Sequence, residues 1–244
     1  KVDVSQGEGM VCPMASVTKE LPSSITARIG ASRSISFPTL NNLYSRSSGN
    51  PDLEPEVTWK YELSIEQFRA FSTHRYLNPE IAVFYNDIRN QIDKSAWTGI
   101  YRNLLGINTW GVETTLGWGA NRWLSGSVAF GWLDWSTESP IILETPHYKI
   151  SSRLNCKLPL GTRINLEFSW FSKRQAEVMS NYYEYLPDYF VAHGNITQPI
   201  SSWVDVRVEA RNIFDANYEE EYGYPCEGRV ILGGFNLNFQ RAVK

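Results

Sequence analysis

Three histidines, three cysteines, a run of glutamates and a set of tyrosines are the residues here that could do chemistry. His74, His147 and His193 stand far apart. No H-E-x-x-H, G-x-S-x-G or phosphate-loop pattern accompanies them. Catalysis therefore finds little support, and the chain reads as a non-enzyme. Cys12, Cys156 and Cys226 lack C-x-x-C spacing and form no metal or redox motif. Their odd number leaves at least one free thiol or an intermolecular partner. Glu219, Glu220 and Glu221 offer the carboxylate oxygens that calcium takes. A solvated acidic patch is the plainer reading and the preferred one. Asn195-Ile196-Thr197 matches a glycosylation acceptor but falls within a strand. No cofactor is implied.

Tyr44, Tyr182, Tyr183, Tyr185, Tyr218, Tyr222 and Tyr224, with Arg46, fall in polar segments between alternating stretches. A tyrosine gives large contact area with a polar tip, which suits recognition of a small ligand. The alternative is that these rings pack the segments against one another.

The elements that must hold these segments are strands. Ile25, Ala27, Ile29 and Ala31 alternate with Thr26, Arg28, Gly30 and Ser32. Trp59, Tyr61, Leu63 and Ile65 alternate with Lys60, Glu62, Ser64 and Glu66. A period of two puts each set on one face. Strands are expected over 10–20, 25–34, 57–68 and 80–92, and then over a long stretch ending near Gly119. In the strand at 80–92, Ala82, Phe84 and Ile88 are expected to share the apolar face, with Asn86 as an intruder. Further alternation through Leu237 and Phe239 brings the number to about eleven, with no convincing helix. Residues 69–78 form a connector of doubtful register.

Regular reversals point to a sandwich or a barrel. Apart from that connector, the links alternate short and long. They are tight near 22, 121, 160 and 200, and longer near 45, 96, 140, 181 and 221. Membrane barrels sort their links this way. Trp118, Trp123 and Trp203 lie beside short turns, and Trp97, Trp132, Trp135 and Trp170 lie toward long loops. Two aromatic belts suit the two interfaces of a bilayer. Lys149, Arg153, Lys157, Asp205, Arg207, Glu209 and Arg211 then line a wet interior, while Leu154, Phe168 and Val206 meet hydrocarbon.

The formal charge of -3 gives no support for nucleic-acid binding. Mean hydropathy is -0.33, and no apolar run nears the roughly 18 residues of a spanning helix. A barrel escapes that test because only alternate residues meet lipid. No signal peptide precedes the first strand, so residue 1 is expected not to be the natural start. A cytoplasmic protein without an export signal is the alternative.

Phe37-Pro38-Thr39-Leu40-Asn41-Asn42-Leu43-Tyr44, followed by Gly49-Asn50-Pro51-Asp52-Leu53-Glu54-Pro55-Glu56, resembles the barrel signature of TonB-dependent outer-membrane receptors. Asn212-Ile213-Phe214-Asp215-Ala216-Asn217-Tyr218-Glu219, with Tyr222-Gly223-Tyr224-Pro225 and Gly228-Arg229, resembles that family's last-loop motif. Residues 83–92 are similar to another of its strands. The family's chains usually stop on a terminal aromatic, here Phe239, whereas this chain continues through Lys244.

The resemblance implies an all-β, transmembrane, antiparallel up-and-down barrel, with residues 1–244 as the C-terminal half of a 22-stranded one. Eleven strands alone leave two unpaired edges, which lipid does not tolerate. The plug domain, the TonB-contacting segment and the first strands are expected outside this sequence. The implied function is import of a ferric siderophore, cobalamin or haem across the bacterial outer membrane, energised through TonB. The implied partners are outer-membrane lipid, the plug, the TonB system and a small nutrient ligand. The alternatives are a passive porin-like channel, a soluble aromatic-rich carbohydrate-binding β domain, and, more weakly, an outer-membrane lipase or protease.

Overall fold

The computed structural model describes residues 10–95, 98–104, 106–137, 144–179 and 182–237. Eleven strands follow one another in a single antiparallel path: β1 (Met14–Leu21), β2 (Ile25–Ser36), β3 (Glu56–Gln67), β4 (Arg75–Arg89), β5 (Ile107–Asn121), β6 (Leu124–Thr137), β7 (Tyr148–Lys157), β8 (Arg163–Phe171), β9 (Tyr189–Pro199), β10 (Val204–Arg211) and β11 (Val230–Leu237). Among the described residues β1 pairs only with β2 and β11 only with β10, so the sheet is open.

Register makes one face apolar from edge to edge. Cross-strand partners point to the same side of a sheet. Ile29 faces Leu63, Leu63 faces Val83, Val83 faces Val112, and Val112 faces Trp132. Further along, Leu154 faces Leu166, Ile164 faces Ile196, Ile196 faces Val208, and Val206 faces Phe235. Many of these side chains lie open, Ile29 by 57% and Phe235 by 69%. Leaving such a side chain in water forgoes about 1.5–3 kcal/mol each. A whole face of them calls for an apolar solvent. No helix among the described residues is long and apolar enough to cross a membrane, which says nothing of strands.

The doubtful connector is strand. Arg69–Ser72 pairs with β4: Arg69 opposite Leu77 and Ala70 opposite Tyr76 keep the register that Glu66 and Glu80 set, and it shifts by one before Ser72 meets Arg75. The break at Phe68 lies beside Asn78-Pro79, and proline cannot donate to a ladder. The turn proper is Thr73-His74. Short and long connections therefore alternate without exception.

Four other expectations are corrected. On β4, Phe84 faces Glu62 and Gly111, so Ala82, Phe84 and Ile88 belong to the polar face, and Ile81, Val83 and Tyr85 to the apolar one. Phe84 lies there because Gly111 leaves room for its ring. A short helix, α1 (Leu40–Tyr44), sits in the first long loop, capped by Thr39. The stretch before β5 is a separate small hairpin, Ile92–Lys94 with Tyr101–Asn103. Trp135 faces Thr109 on the polar side and stacks on His147 at 4.3 Å, so it leaves the outer belt. Trp97 and Phe239 lie outside the described residues.

Candidate functional site

The five long connections, 37–55, 90–106, 138–147, 172–188 and 212–229, all leave the sheet at one end. What the described parts of these loops present, and what holds them, defines the candidate site.

The first two loops are joined by amides and carboxylates. Asn103 accepts from the Glu54 N–H (2.8 Å) and donates to the carbonyls of Glu54 (2.9 Å) and Asn90 (2.7 Å). Asn90 donates to Glu54 Oε2 (2.7 Å), and Glu56 Oε1 accepts from the Ile92 N–H (2.6 Å). Asn50 donates to the Tyr101 carbonyl (2.9 Å). At Gly49 a Cβ would lie 2.6 Å from the Ser45 nitrogen, so only glycine fits. The Gly49–Glu56 octet is thus a fastening between loops. Its residue types follow from backbone groups that need partners away from a ladder.

The last two long loops are fastened by aromatic stacking. The hairpin Arg174–Met179 with Tyr182–Leu186 rises from β8. Tyr189 is sandwiched between Phe171 (4.8 Å) and Tyr218 (4.4 Å). The Arg174 guanidinium lies 4.7 Å over the Tyr189 ring and donates to the Glu219 carbonyl (2.6 Å). Arg174 is only 3% exposed, and its Nε has no partner among the described residues. Tyr189 donates its hydroxyl to Glu220 Oε1 (3.3 Å). Burial, then Cys226 and Glu220 beside it, push the Tyr218 hydroxyl above its ordinary value, so it stays neutral at physiological pH. Asn212, itself buried, donates to the carbonyls of Ala216 (2.8 Å) and Glu227 (3.1 Å) and accepts from the Ala216 N–H (2.8 Å). Glu144 links a further loop by accepting from the Tyr222 N–H (3.1 Å).

The expected residues divide by exposure. Tyr44, Tyr182, Tyr185 and Tyr224 stand open, and Arg46 is exposed after α1. Tyr222 is partly open at its hairpin turn, and Tyr183 is half-buried. Lys173 Nζ lies 4.7 Å over the Tyr185 ring. Tyr218 is spent on packing. Tyr44 and Arg46 belong to the first loop, and the other six to the hairpin of 174–186 and the loop of 212–229. Glu219 Oε2 accepts from the Gly223 N–H (2.9 Å), while Glu220 turns to Tyr189. No group of three acidic, histidine or cysteine side chains among the described residues could hold a metal ion. His147 stacks on Trp135, His193 accepts from the Asn212 N–H (3.4 Å), and His74 sits in a turn.

Arg174, Tyr189 and Asn103 carry the site and were not singled out by sequence. Tyr189 had a signal, since it adjoins Phe190 and alternation puts it on the inner face with Phe171. Arg174 had none, because its burial depends on two loops meeting.

A family model described as TonB dependent receptor-like, beta-barrel, matches residues 5–214. Among solved structures, the siderophore receptor PirA from Acinetobacter baumannii superposes with a TM-score of 0.75 at 17% identity, over 93% of this chain and 40% of that one. The ferripyoverdine receptor of the Pseudomonas aeruginosa outer membrane gives 0.74 at 16%, over 93% and 32%. The copper transporter OprC gives 0.73 at 11%, over 92% and 39%. The chain thus spans well under half the length of these structures.

Proposed function

The chain belongs to the β-barrel family of TonB-dependent receptors, proteins of the bacterial outer membrane, and from that premise we propose that it forms the C-terminal part of a receptor barrel that captures a scarce nutrient complex at the cell surface and passes it inward, energised through TonB. One observation carries this reading. A sheet that is apolar on one face across eleven strands sends all its long loops out at a single end. Lipid then covers the apolar face, the plug occupies the polar side, and further strands close the two free edges. The ligand touches the exposed tyrosines of the long loops.

A ferric siderophore is the ligand class we favour, because PirA and the pyoverdine receptor carry that description. Cobalamin and haem remain in the same class of cargo. OprC, described as a copper transporter, has the same fold, so the fold alone leaves the ligand open.

The test is a titration of the purified receptor with ferric catecholate and ferric hydroxamate siderophores. Tyr182→Ala with Tyr185→Ala, and Tyr222→Ala with Tyr224→Ala, are each expected to raise Kd at least tenfold, about 1.4 kcal/mol. Unchanged Kd in both pairs removes these tyrosines from the site. A receptor that conducts in planar bilayers without denaturant favours the porin-like reading instead.

A further inference from the structure

A trough of about 490 Å³ crosses the apolar face near the β1 edge. Ala15, Ala31, Val17 and Ile29 line one half of it, and Tyr61, Leu63, Val83 and Tyr85 the other. These residues are two successive rows of β1 to β4 in register. Ala15 lies directly opposite Ala31, and this pair of methyl groups makes the floor. Elsewhere the same face is filled by rings, such as Phe168 with Phe190 and Phe130 with Tyr148. From β1 to β4 the trough spans three strand spacings, about 14 Å, the scale of a fatty acyl chain.

The next row toward the long loops carries a cation. Arg33 follows Ala31 on that face of β2 and lies opposite Trp59. One guanidinium nitrogen donates to the Val11 carbonyl (2.8 Å). A guanidinium has five donors, so most of its capacity is left. The acid in this row, Asp87, is neutralised by Arg89 at 2.9 Å. Arg33 therefore has no carboxylate among the described residues. Trp59 stacks with Tyr61 at 6.3 Å, giving the amphipathic collar expected at an interface. A guanidinium with no carboxylate partner at the level of this collar calls for an anion, and phosphate matches its fork.

We propose that this trough binds one phosphorylated lipid of the outer leaflet, an acyl chain lying across Ala15 and Ala31 and the phosphate on Arg33. The trough is continuous with the lipid-covered face, so membrane lipid is the occupant that reaches it without crossing water.

The test is native mass spectrometry of the receptor in mild detergent, delipidated and then given lipid A or, as a control, phosphatidylcholine. One lipid A is expected to stay bound under activation that strips phosphatidylcholine. Ala31→Phe fills the trough and Arg33→Gln removes the charge, and each should lower the bound fraction at least fivefold. Ala15→Leu fills the trough from the neighbouring strand, should Ala31→Phe fold poorly by heat-dependent gel mobility. Wild-type receptor that keeps no lipid A, equal retention of both lipids, or full retention by a folded trough-filling variant or by Arg33→Gln overturns the assignment.

Discussion

Single residues in the loops work mainly as fasteners, and Asn212 shows how much one amide can hold. It is 2% exposed, adopts φ of 47°, and makes three side-chain hydrogen bonds within its own loop. Asparagine tolerates the left-handed region because its short side chain bonds locally. Alanine offers neither the bonds nor the tolerance. Asn212→Ala should cost about 2–4 kcal/mol of local stability, from stranded backbone groups and a strained φ. Hydrogen exchange at the Ala216 amide should accelerate about thirtyfold or more. Asn212→Gly relieves the strain but not the lost bonds, and should fall between. Exchange unchanged in the alanine variant would mean that the loop is held from elsewhere, with the Arg174–Tyr189 stack the first suspect.

At the scale of strands, most of the architecture was legible because one physical rule, alternation, ran through nearly every element. Leu154, Phe168 and Val206 fall on the apolar face as the period of two required. The rule failed where a local exception outweighed it. Pro79 broke a ladder and hid the pairing of Arg69–Ser72. Phe84 misled because an aromatic on the polar side looks like a core residue until the glycine beneath it is known. The loop fastenings were out of reach, since the partner of Asn103 is 49 positions away in sequence. The Phe84–Gly111 pair can be tested directly. A Cβ on Gly111 would sit 2.6 Å from Phe84 Cζ and 2.3 Å from the Trp132 carbonyl oxygen. Gly111→Ala should destabilise by about 1–3 kcal/mol through overpacking, lowering the temperature at which the folded band shifts on gels. Adding Phe84→Ala should restore part of it. A double variant no better than the single one would put the strain on the Trp132 carbonyl instead.

Across the whole molecule the balance of charge on the polar face changes from one side to the other. On the β1–β5 side that face carries, besides Arg28 and Lys60, four glutamates on β3 to β5, Glu62, Glu66, Glu80 and Glu113, and Glu66 lies directly opposite Glu80. None of the four has an ion-pair partner among the described residues. On the β7–β10 side it carries Arg153, Arg163, Arg207 and Arg211, whose acids are already engaged: Glu167 with Arg153, Asp205 with Arg163, and Glu209 with both Arg207 and Arg211. Like charges set face to face across a ladder are destabilising by themselves. Their presence is understandable if something basic sits against them. In the proposed receptor that partner is the plug, so its surface toward β3–β5 should be rich in lysine and arginine. Glu66→Gln with Glu80→Gln should then have opposite effects in two states. Repulsion within the wall falls, so the barrel itself should lose nothing, and its gel shift should stay at the same temperature or rise. The plug loses two attractions, each about 1–3 kcal/mol where water is excluded. In planar bilayers the urea concentration at which the receptor begins to conduct should therefore fall. A threshold that stays put while the barrel is intact would mean that the acidic wall faces water, and that the plug is held by the arginine side alone.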